Sequence, residues 1–572
     1  MKVGVDTGGT FTDAVADDGR AVKVPSSPAD PGAAVKAATD VLGPTPDVLG
    51  HGTTVATNAL LERSGAPVAL VTTAGFTDII EIGRQNRPSL YDLWADRPDS
   101  LVPRELRFGA NDLDEVPPDV RTVAVCLLHS DVDPSAEREV AETLRRRDFD
   151  VSCSADVSPE FREYERTLTT VVNAYLRPAC RDYLLSLAGL AGEVLVMTSA
   201  GGLVPLSDAA ARPAALLLSG PAGGVLAAAA VAAANGSPDA ITFDMGGTST
   251  DVCLVRGALP EAAPGRVVGG FPLRLPSLDV HTIGAGGGSI ARLDAGGALL
   301  VGPRSAGAVP GPACYGRGGR EPTVTDADLV LGRIPAGSAL PGLGTLDTDA
   351  ARKALDRAGV HAEGVVTVVN ASMEQALRAV SVERGVDPGE LALVAFGGAG
   401  PLHACALADA LGMPRVIVPA RAGVLSALGM LGAPRARELV RSWVGDGAFD
   451  DELRALADEA RSLVGAGAST STALDVRYAG QSHELTVESI DAFHDEHERR
   501  NGYARRDAPI EVVALRARAR IDAELDITTL PVDDRETLDG PAVISESDCT
   551  VWVPDGWRAR QGEAGALVLE RR

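Results

Sequence analysis

The octet Asp-Thr-Gly-Gly-Thr-Phe-Thr-Asp at residues 6–13 returns at 244–251 as Asp-Met-Gly-Gly-Thr-Ser-Thr-Asp. Six of the eight positions are identical, and each copy follows a short run of strand-forming residues. A lone glycine-rich octet says little. Two in the same context point to a duplicated β-hairpin: a strand, a tight glycine turn and a returning strand. Gly8-Gly9 and Gly246-Gly247 let backbone amides converge on one centre, which makes an anion nest. Thr10, Thr12, Thr248 and Thr250 add hydroxyl donors. Asp6 and Asp244 cannot meet a phosphate directly, because like charges repel. They call for an intervening Mg²⁺ or a water to be activated, and hard oxygen ligands suit Mg²⁺. Asp13 and Asp251 close the octets, either stabilising the turns or adding metal carboxylates. Two plain structural turns would not need all four polar positions repeated.

A third glycine element, Phe396-Gly397-Gly398-Ala399-Gly400-Pro401-Leu402-His403, lies between an expected strand and helix. Gly397, Gly398 and Gly400 would let an adenine or ribose pack against backbone; a plain strand-to-helix turn is the alternative. Neither a G-x-G-x-x-G opening a helix at the first loop nor a G-x-x-x-x-G-K-[ST] motif is present, so the dinucleotide and Walker-type phosphate sites are not indicated.

Bulk properties bound the rest. A chain of 572 residues with 45% hydrophobic content builds several cores, three or four domains in all. The formal net charge of −25 repels nucleic acid and anionic membranes. The alanine-rich run 222–234 is too short for a membrane span and reads as a buried helix. The seven cysteines are scattered, with no C-x-x-C spacing, which suits a reducing, cytoplasmic setting without disulfides or zinc knuckles.

Hydrophobic patterning predicts a strand at 2–5 returning at 12–16, a helix over 29–42, and a mixed region over 61–165 with strands at 68–72 and 122–128. Helices follow at 168–188, after 219 and over 365–385. Strands follow at 193–198, 239–243, 252–255, 391–395 and 415–419. From about 436 the pattern changes to a helix over 451–466, strands and a polar helix over 491–500. Residues 436–572 therefore read as a separate α+β domain. The charged, proline-bearing stretch 84–120 reads as surface.

The paired octets with the third glycine loop resemble the actin, sugar kinase and Hsp70 ATPase fold. Longer segments narrow the resemblance: HGTTVATNA at 51–59, GRQNRP at 83–88, SGPAGG at 219–224, DVHTIGAGGGSI at 279–290, VGPRSAGAVPGPACYGRGG at 301–319, TVTD at 323–326 and RYAGQSHEL at 477–485. These are similar to the hydantoinase A / 5-oxoprolinase family over essentially the whole chain. The resemblance implies an α/β fold of duplicated actin-like, ribonuclease H-like ATPase halves at 1–220 and 221–435, with a C-terminal α+β domain at 436–572. It implies two connecting helices at about 219–234 and 421–431. It also implies ATP and Mg²⁺ as cofactors, and an A-type subunit that phosphorylates the carbonyl oxygen of a cyclic amide such as a hydantoin, 5-oxoproline or another lactam. A B-type subunit then completes ring opening, so a homo- or hetero-oligomer is expected. The alternatives are an acetone carboxylase-like subunit acting on a ketone or enol, and a non-catalytic ATP-binding regulator. Relatives are usually longer, and 108–120 and 333–362 look trimmed here.

Other residues carry two readings each. His51, before Gly52, either faces the substrate or γ-phosphate or is a core histidine. Asp279 and His281, two apart on an expected strand, share one face beside Gly284–Gly288; they are candidate catalytic residues, or metal ligands if a third ligand joins them. Arg84 and Arg87 either bind a substrate carboxylate or belong to a solvated loop. Cys314 reads as structural, with no base or helix N-terminus beside it. His494 and His497 share a helix face with acidic neighbours, for a metal, a polar surface or a partner.

Overall fold

The computed structural model describes residues 1–27, 30–340, 344–445 and 448–572. Two large mixed sheets organise it. In the first, β1 (Lys2–Thr7) and β2 (Phe11–Ala16) form an antiparallel hairpin, and β3 (Ala21–Pro25) pairs beyond β2. On the other side β4 (Val48–Thr53) and β5 (Glu193–Met197) run parallel to β1, and β6 (Leu203–Pro205) turns back against β5. In the second, β7 (Ala240–Met245) and β8 (Thr250–Arg256) form the hairpin and β9 (Leu259–Pro260) lies outside β8. Parallel strands β10 (Ala392–Phe396) and β11 (Arg415–Val418) follow on the other side of β7. The order 3-2-1-4-5 of the first sheet thus recurs as 9-8-7-10-11 in the second.

The central strands are covered on both faces, and their sequences are correspondingly apolar at consecutive positions. Val3 and Val5 in β1, and Ile241 and Phe243 in β7, are wholly buried. Helix α1 (Glu163–Ser186) covers the first sheet through Leu168, Val172, Leu176 and Leu184. Helix α2 (Gly220–Ala234) leads from the first half into β7. It is apolar nearly all round, as a helix enclosed on every side must be. Helix α3 (Ala362–Val380) and helix α4 (Gly400–Leu411) join the core of the second sheet, and α5 (Leu425–Gly432) returns across to β1. The two connecting helices expected at 219–234 and 421–431 correspond to α2 and α5. The helix expected over 29–42 runs Pro31–Leu42, and its first expected residue lies outside the described ones. So do 341–343, inside the stretch expected to be trimmed.

The inserted region carries a four-stranded parallel sheet of Arg107–Gly109, Val68–Thr72, Thr122–Cys126 and Asp150–Cys153, with its own small core. The expected separate unit at 436–572 is instead divided between the two sheets. Strands β12 (Arg435–Ser442), β13 (Ser469–Tyr478), β14 (Leu485–Val487) and β15 (Ile510–Ile521) extend the first sheet, with α6 (Asp450–Val464) packed on them. Strands β16 (Leu538–Asp539), β17 (Trp557–Gln561) and β18 (Leu567–Arg571) extend the second, beyond β11. The physical reason is the sheet edge: β11 has unpaired backbone groups that β18 satisfies. Among the described residues no helix is long and apolar enough to cross a membrane.

Candidate functional site

The two octets fold into the same hairpin. The Gly8 amide donates to the Phe11 carbonyl at 3.0 Å, and Gly246 to Ser249 at 3.1 Å. Asp6 stands opposite Asp13 and Asp244 opposite Asp251 in their ladders. Each hairpin therefore sets two carboxylates on one face, and those faces converge. The Asp244 carboxyl is held well above the usual carboxylate range, first by burial, then by Asp251, Asp6 and Asp13. Asp6 is pushed up to about 7 by burial and by Asp13, with Lys23 opposing. Burial raises Asp251 to about 6 against a hydrogen bond from the Thr282 hydroxyl at 2.5 Å. Asp6 Oδ1 is buried with no hydrogen-bond partner.

This is an arrangement of anions in want of a cation. Hard carboxylate oxygens, one of them orphaned, are the donor set that Mg²⁺ takes, and it keeps waters of its own. The residues present therefore fit a magnesium ion between the hairpins, with Asp6 and Asp244 nearest. Asp13 is already matched: Lys23 Nζ lies 2.6 and 2.7 Å from its two oxygens. Asp251 does not join as a third ligand: among the described residues the carboxylates of Asp6, Asp244 and Asp251 do not gather closely enough to share one ion. At most Asp6, Asp244 and water would hold it.

The four threonines divide. Thr12 is wholly buried, and its hydroxyl meets Ser26 Oγ at 3.0 Å. The Thr250 hydroxyl donates to the Ala285 carbonyl at 2.6 Å. Both lock the hairpins to their neighbours and are turned from the phosphate role expected of them, because alternation along a strand sends them into the protein. Thr10 and Thr248 stand at the turns beside Gly9 and Gly247, which are exposed. The loop 284–288 closes on the second hairpin, with Gly287 and Gly288 amides donating to the Gly246 and Gly247 carbonyls at 3.0 and 2.7 Å. A plain glycine run thus serves as the brace for a nest.

The third glycine element also converges here. Gly397 has φ +77, and a Cβ on it would collide with Asp244 Oδ1 and the Met245 carbonyl. Gly398 faces open space, and Gly400 begins α4 against β7. The loop therefore borders the cleft beside Asp244, where an adenosine could lie against backbone.

Other expectations resolve differently. His51 is completely buried on β4, its Nε2 2.6 Å from the Tyr183 hydroxyl of α1. Burial pushes it down to about 4, so it is neutral and belongs to the core. Asp279 and His281 are not on one strand: His281 starts a strand paired with Val252, whereas Asp279 precedes it and accepts from Arg384 Nη1 at 2.5 Å. The shared face expected of them is lost to the tight turn centred on Asp279, which the Val280 amide closes on the Leu278 carbonyl at 2.9 Å. Among the described residues the one group of three metal-type ligand atoms, Glu546, Asp548 and Cys549, includes neither. Arg84 is held by Glu165 at 2.8 and 2.5 Å, and Arg87 is exposed. Cys314 is buried with its thiol pushed up by burial. His494 and His497 hydrogen-bond Tyr478 and the Tyr503 carbonyl at 2.9 and 2.8 Å, inside an aromatic cluster. Lys23 and Ser26, unremarked in the sequence, neutralise Asp13 and brace Gly8, whose carbonyl accepts from Ser26 Oγ at 2.7 Å. Their one sequence signal is a lone lysine in the short strand Ala21–Pro25 and a serine directly after it.

Known proteins share this architecture. Residues 166–438 match the hydantoinase/oxoprolinase family profile, and 2–113 match its N-terminal region. The chain is 34% identical to caprolactamase subunit alpha of Pseudomonas jessenii over 97% of both. It is 33% identical to the acetophenone carboxylase gamma subunit of Aromatoleum aromaticum over 75% of this chain and 67% of that one. The crystal structure of the ATP-dependent caprolactamase from Pseudomonas jessenii superposes with a TM-score of 0.86 at 31% identity, covering all of both chains.

Proposed function

The chain belongs to the hydantoinase/oxoprolinase family, and from that premise we propose that it is the A-type subunit of an ATP-dependent cyclic amide hydrolase. We read the two sheets as duplicated actin-like halves with ATP in the cleft between their hairpins. The single observation that carries this is the facing pair of hairpins, with Asp6 and Asp244 on the converging faces.

An amide is a poor electrophile, since nitrogen donates its lone pair into the carbonyl. Transfer of the γ-phosphoryl group of ATP to the carbonyl oxygen creates a leaving group and couples ring opening to ATP. The in-line transfer needs positioning, charge neutralisation and a dry site. The Gly8 and Gly246 amides are spent closing their hairpins, so the amides of Gly9 and Gly247 and the hydroxyls of Thr10 and Thr248 hold phosphate oxygens. Gly397 and Gly398 give the adenosine a backbone surface. Asp6 and Asp244 would hold a magnesium ion, which would supply neutralisation of phosphate charge. Approach of the two halves excludes water. A B-type partner then completes hydrolysis, in the cytoplasm, where the scattered free cysteines stay reduced.

The match to an acetophenone carboxylase subunit supports a second reading, phosphorylation of a ketone or enol oxygen by the same cleft. A non-catalytic ATP-binding regulator would bind nucleotide without substrate-stimulated hydrolysis. ADP release should be measured with Mg²⁺ against hydantoins, 5-oxoproline, larger lactams and small ketones, with and without a B-type partner. Stimulation by a lactam is expected. Stimulation by ketones alone overturns the first reading, and a flat response across the panel overturns both.

The raised Asp6 carboxyl gives a separate expectation. Protons must leave both Asp6 and Asp244 before a metal binds, so Mg²⁺ affinity should rise by at least about tenfold per pH unit from pH 5 to 7 and level off only once Asp244, also raised, has lost its proton. Titration calorimetry in buffers of different ionisation enthalpy should record proton release below pH 7. Affinity independent of pH across that window would remove Asp6 from the metal site.

A further inference from the structure

A cavity of about 870 Å³ lies beside β12 in the first sheet, and every residue from 436 to 445 lines it. Successive strand residues point to opposite faces of a sheet. A cavity reached by all of them therefore runs along the edge of the strand. β12 pairs with β15 along its whole length, but on its other side meets β6 only where Arg435 stands opposite Leu203. β6 ends two residues later at Pro205, and the chain turns away into the helix Leu206–Ala211. Beyond that point, among the described residues, no strand lies beside this edge of β12. In the second sheet the edge of β11 is closed by β18.

The direction of each backbone group on β12 follows from one bond. The Trp443 amide donates to the Val513 carbonyl at 2.9 Å, continuing the β12–β15 register. In an antiparallel pair alternate residues turn N–H and C=O to the partner, and those between turn them away. Odd-numbered residues of β12 therefore bond β15. Glu438, Val440 and Ser442 direct theirs to the open edge. Val440 and Ser442 are buried, where backbone groups are ordinarily paired.

The walls suit a main chain better than an ion. Arg441 is held by Glu452 and Glu459 at 3.3 and 2.8 Å, Arg437 by Asp208 at 3.3 Å, and Arg274 by Glu160 at 2.7 Å. A charged ligand would have to break such pairs, and a neutral strand would not. The two faces beside the edge differ in character. Leu439 and Arg441 face α6, where Leu456 and Leu463 offer apolar contact and Leu463 is 48% exposed. Glu438 faces the other way, toward the ionic group of Arg516, Glu160 and Arg274.

We propose that an extended segment of the B-type partner adds a strand to this edge of β12. Its main chain bonds Glu438, Val440 and Ser442, its apolar side chains lie toward Leu456 and Leu463, and the alternate, polar ones lie toward Glu160 and Arg274. Strand addition of this kind draws affinity from main-chain bonds and specificity from alternate side chains. At about 3.4 Å per residue the open edge from Glu438 to Ser442 is about 17 Å long, room for a strand of about five residues. The proposal rests on the two-subunit reading above.

Hydrogen exchange resolved to single amides, on the full chain with and without the B-type partner, is the test. In the complex the amides of Glu438, Val440 and Ser442 should slow at least about tenfold, while those of Leu439 and Arg441, already bonded to β15, stay unchanged. Val440→Pro removes an outward amide and no bond to β15. It should weaken partner binding at least about tenfold and leave ADP release by the chain alone unchanged, with its melting temperature recorded to confirm folding. Should that variant fail to fold, the exchange pattern in the parent decides. A parent that binds no B-type partner would overturn the two-subunit reading and the proposal with it. Binding without the alternating protection, equal affinity in the Val440→Pro protein, or the same protection in the chain alone at raised concentration, which would put a second copy on the edge, would each overturn the proposal and leave the two-subunit reading standing.

Discussion

Asp6→Asn should lower substrate-stimulated ATP turnover roughly 100- to 1000-fold, the scale of removing one preorganised charge-stabilising group. The same change should make the metal-free protein more stable. In the fold the Asp6 carboxyl keeps its proton to about pH 7, while in the unfolded chain it ionises around the ordinary value of 3.8. Between those values the native state holds more protons than the unfolded one, so stability falls as pH rises and is flat above 7. Each tenfold in that proton equilibrium is about 1.4 kcal/mol, so the ionised group costs the fold about 4 kcal/mol at most. Asparagine has no charge to bury. Without Mg²⁺ the variant should therefore melt above the parent at pH 8, with the gap closing toward pH 4. Added Mg²⁺ should raise the melting temperature of the parent more than that of the variant, since a ligand stabilises what binds it. A variant that turns over ATP normally, or melts lower than the parent at pH 8 in chelator, would remove Asp6 from the role assigned to it. The opposed directions distinguish a functional carboxylate from a structural one, for which activity and stability fall together.

The hairpins were legible because their information is local: a strand, two glycines and a strand need only eight consecutive residues. Their being together in space was legible from the repeat. What the threonines do was not. Thr12 and Thr250 carry the same hydroxyl as Thr10 and Thr248, and only the strand alternation fixed by each ladder decides that the former bond Ser26 and Ala285. His51 illustrates the same limit. Its neighbours in sequence, Gly50 and Gly52, leave open whether it faces the cleft or the core, and its fate is set by Tyr183, distant in the chain and close in the core. Asp279 and His281 failed as a pair because a two-residue spacing shares a face only while the strand continues, and one strand ends at Leu278 before the next begins at His281. The C-terminal third misled for a different reason. Its composition changes at 436, but sheet edges recruit strands irrespective of composition, so 435–521 completes one sheet and 538–571 the other. Lys23, which neutralises Asp13, gave no signal stronger than a lone lysine in a short strand.

Gly429→Ala should be the most destabilising methyl group added to this chain's inter-sheet joint. A Cβ at 429 would collide with the carbonyl oxygen, carbonyl carbon and Cα of Gly223, all backbone atoms of α2. A side chain can rotate away from an intruder; a helix backbone in the middle of a buried crossing must translate. Overpacking of that kind costs about 3 kcal/mol, and here the displacement propagates, because α5 also lies beneath Gly4 on β1 of the first hairpin and Gly50 on the adjoining β4. Pushing α2 and α5 apart changes the separation of the hairpins that face each other across the cleft. ATP affinity and turnover should therefore fall together with melting temperature, although 429 touches neither hairpin. Gly432→Ala is the control on the same helix. Its added Cβ meets Ile527 Cγ2 at 2.8 Å, the end of a side chain that can swing aside, so its cost should stay within about 1 kcal/mol. Equal losses in the two variants would mean that the crossing has slack and that the hairpin spacing is set elsewhere. A large loss at 429 with unchanged nucleotide affinity in the folded fraction would separate the stability of the joint from the geometry of the cleft.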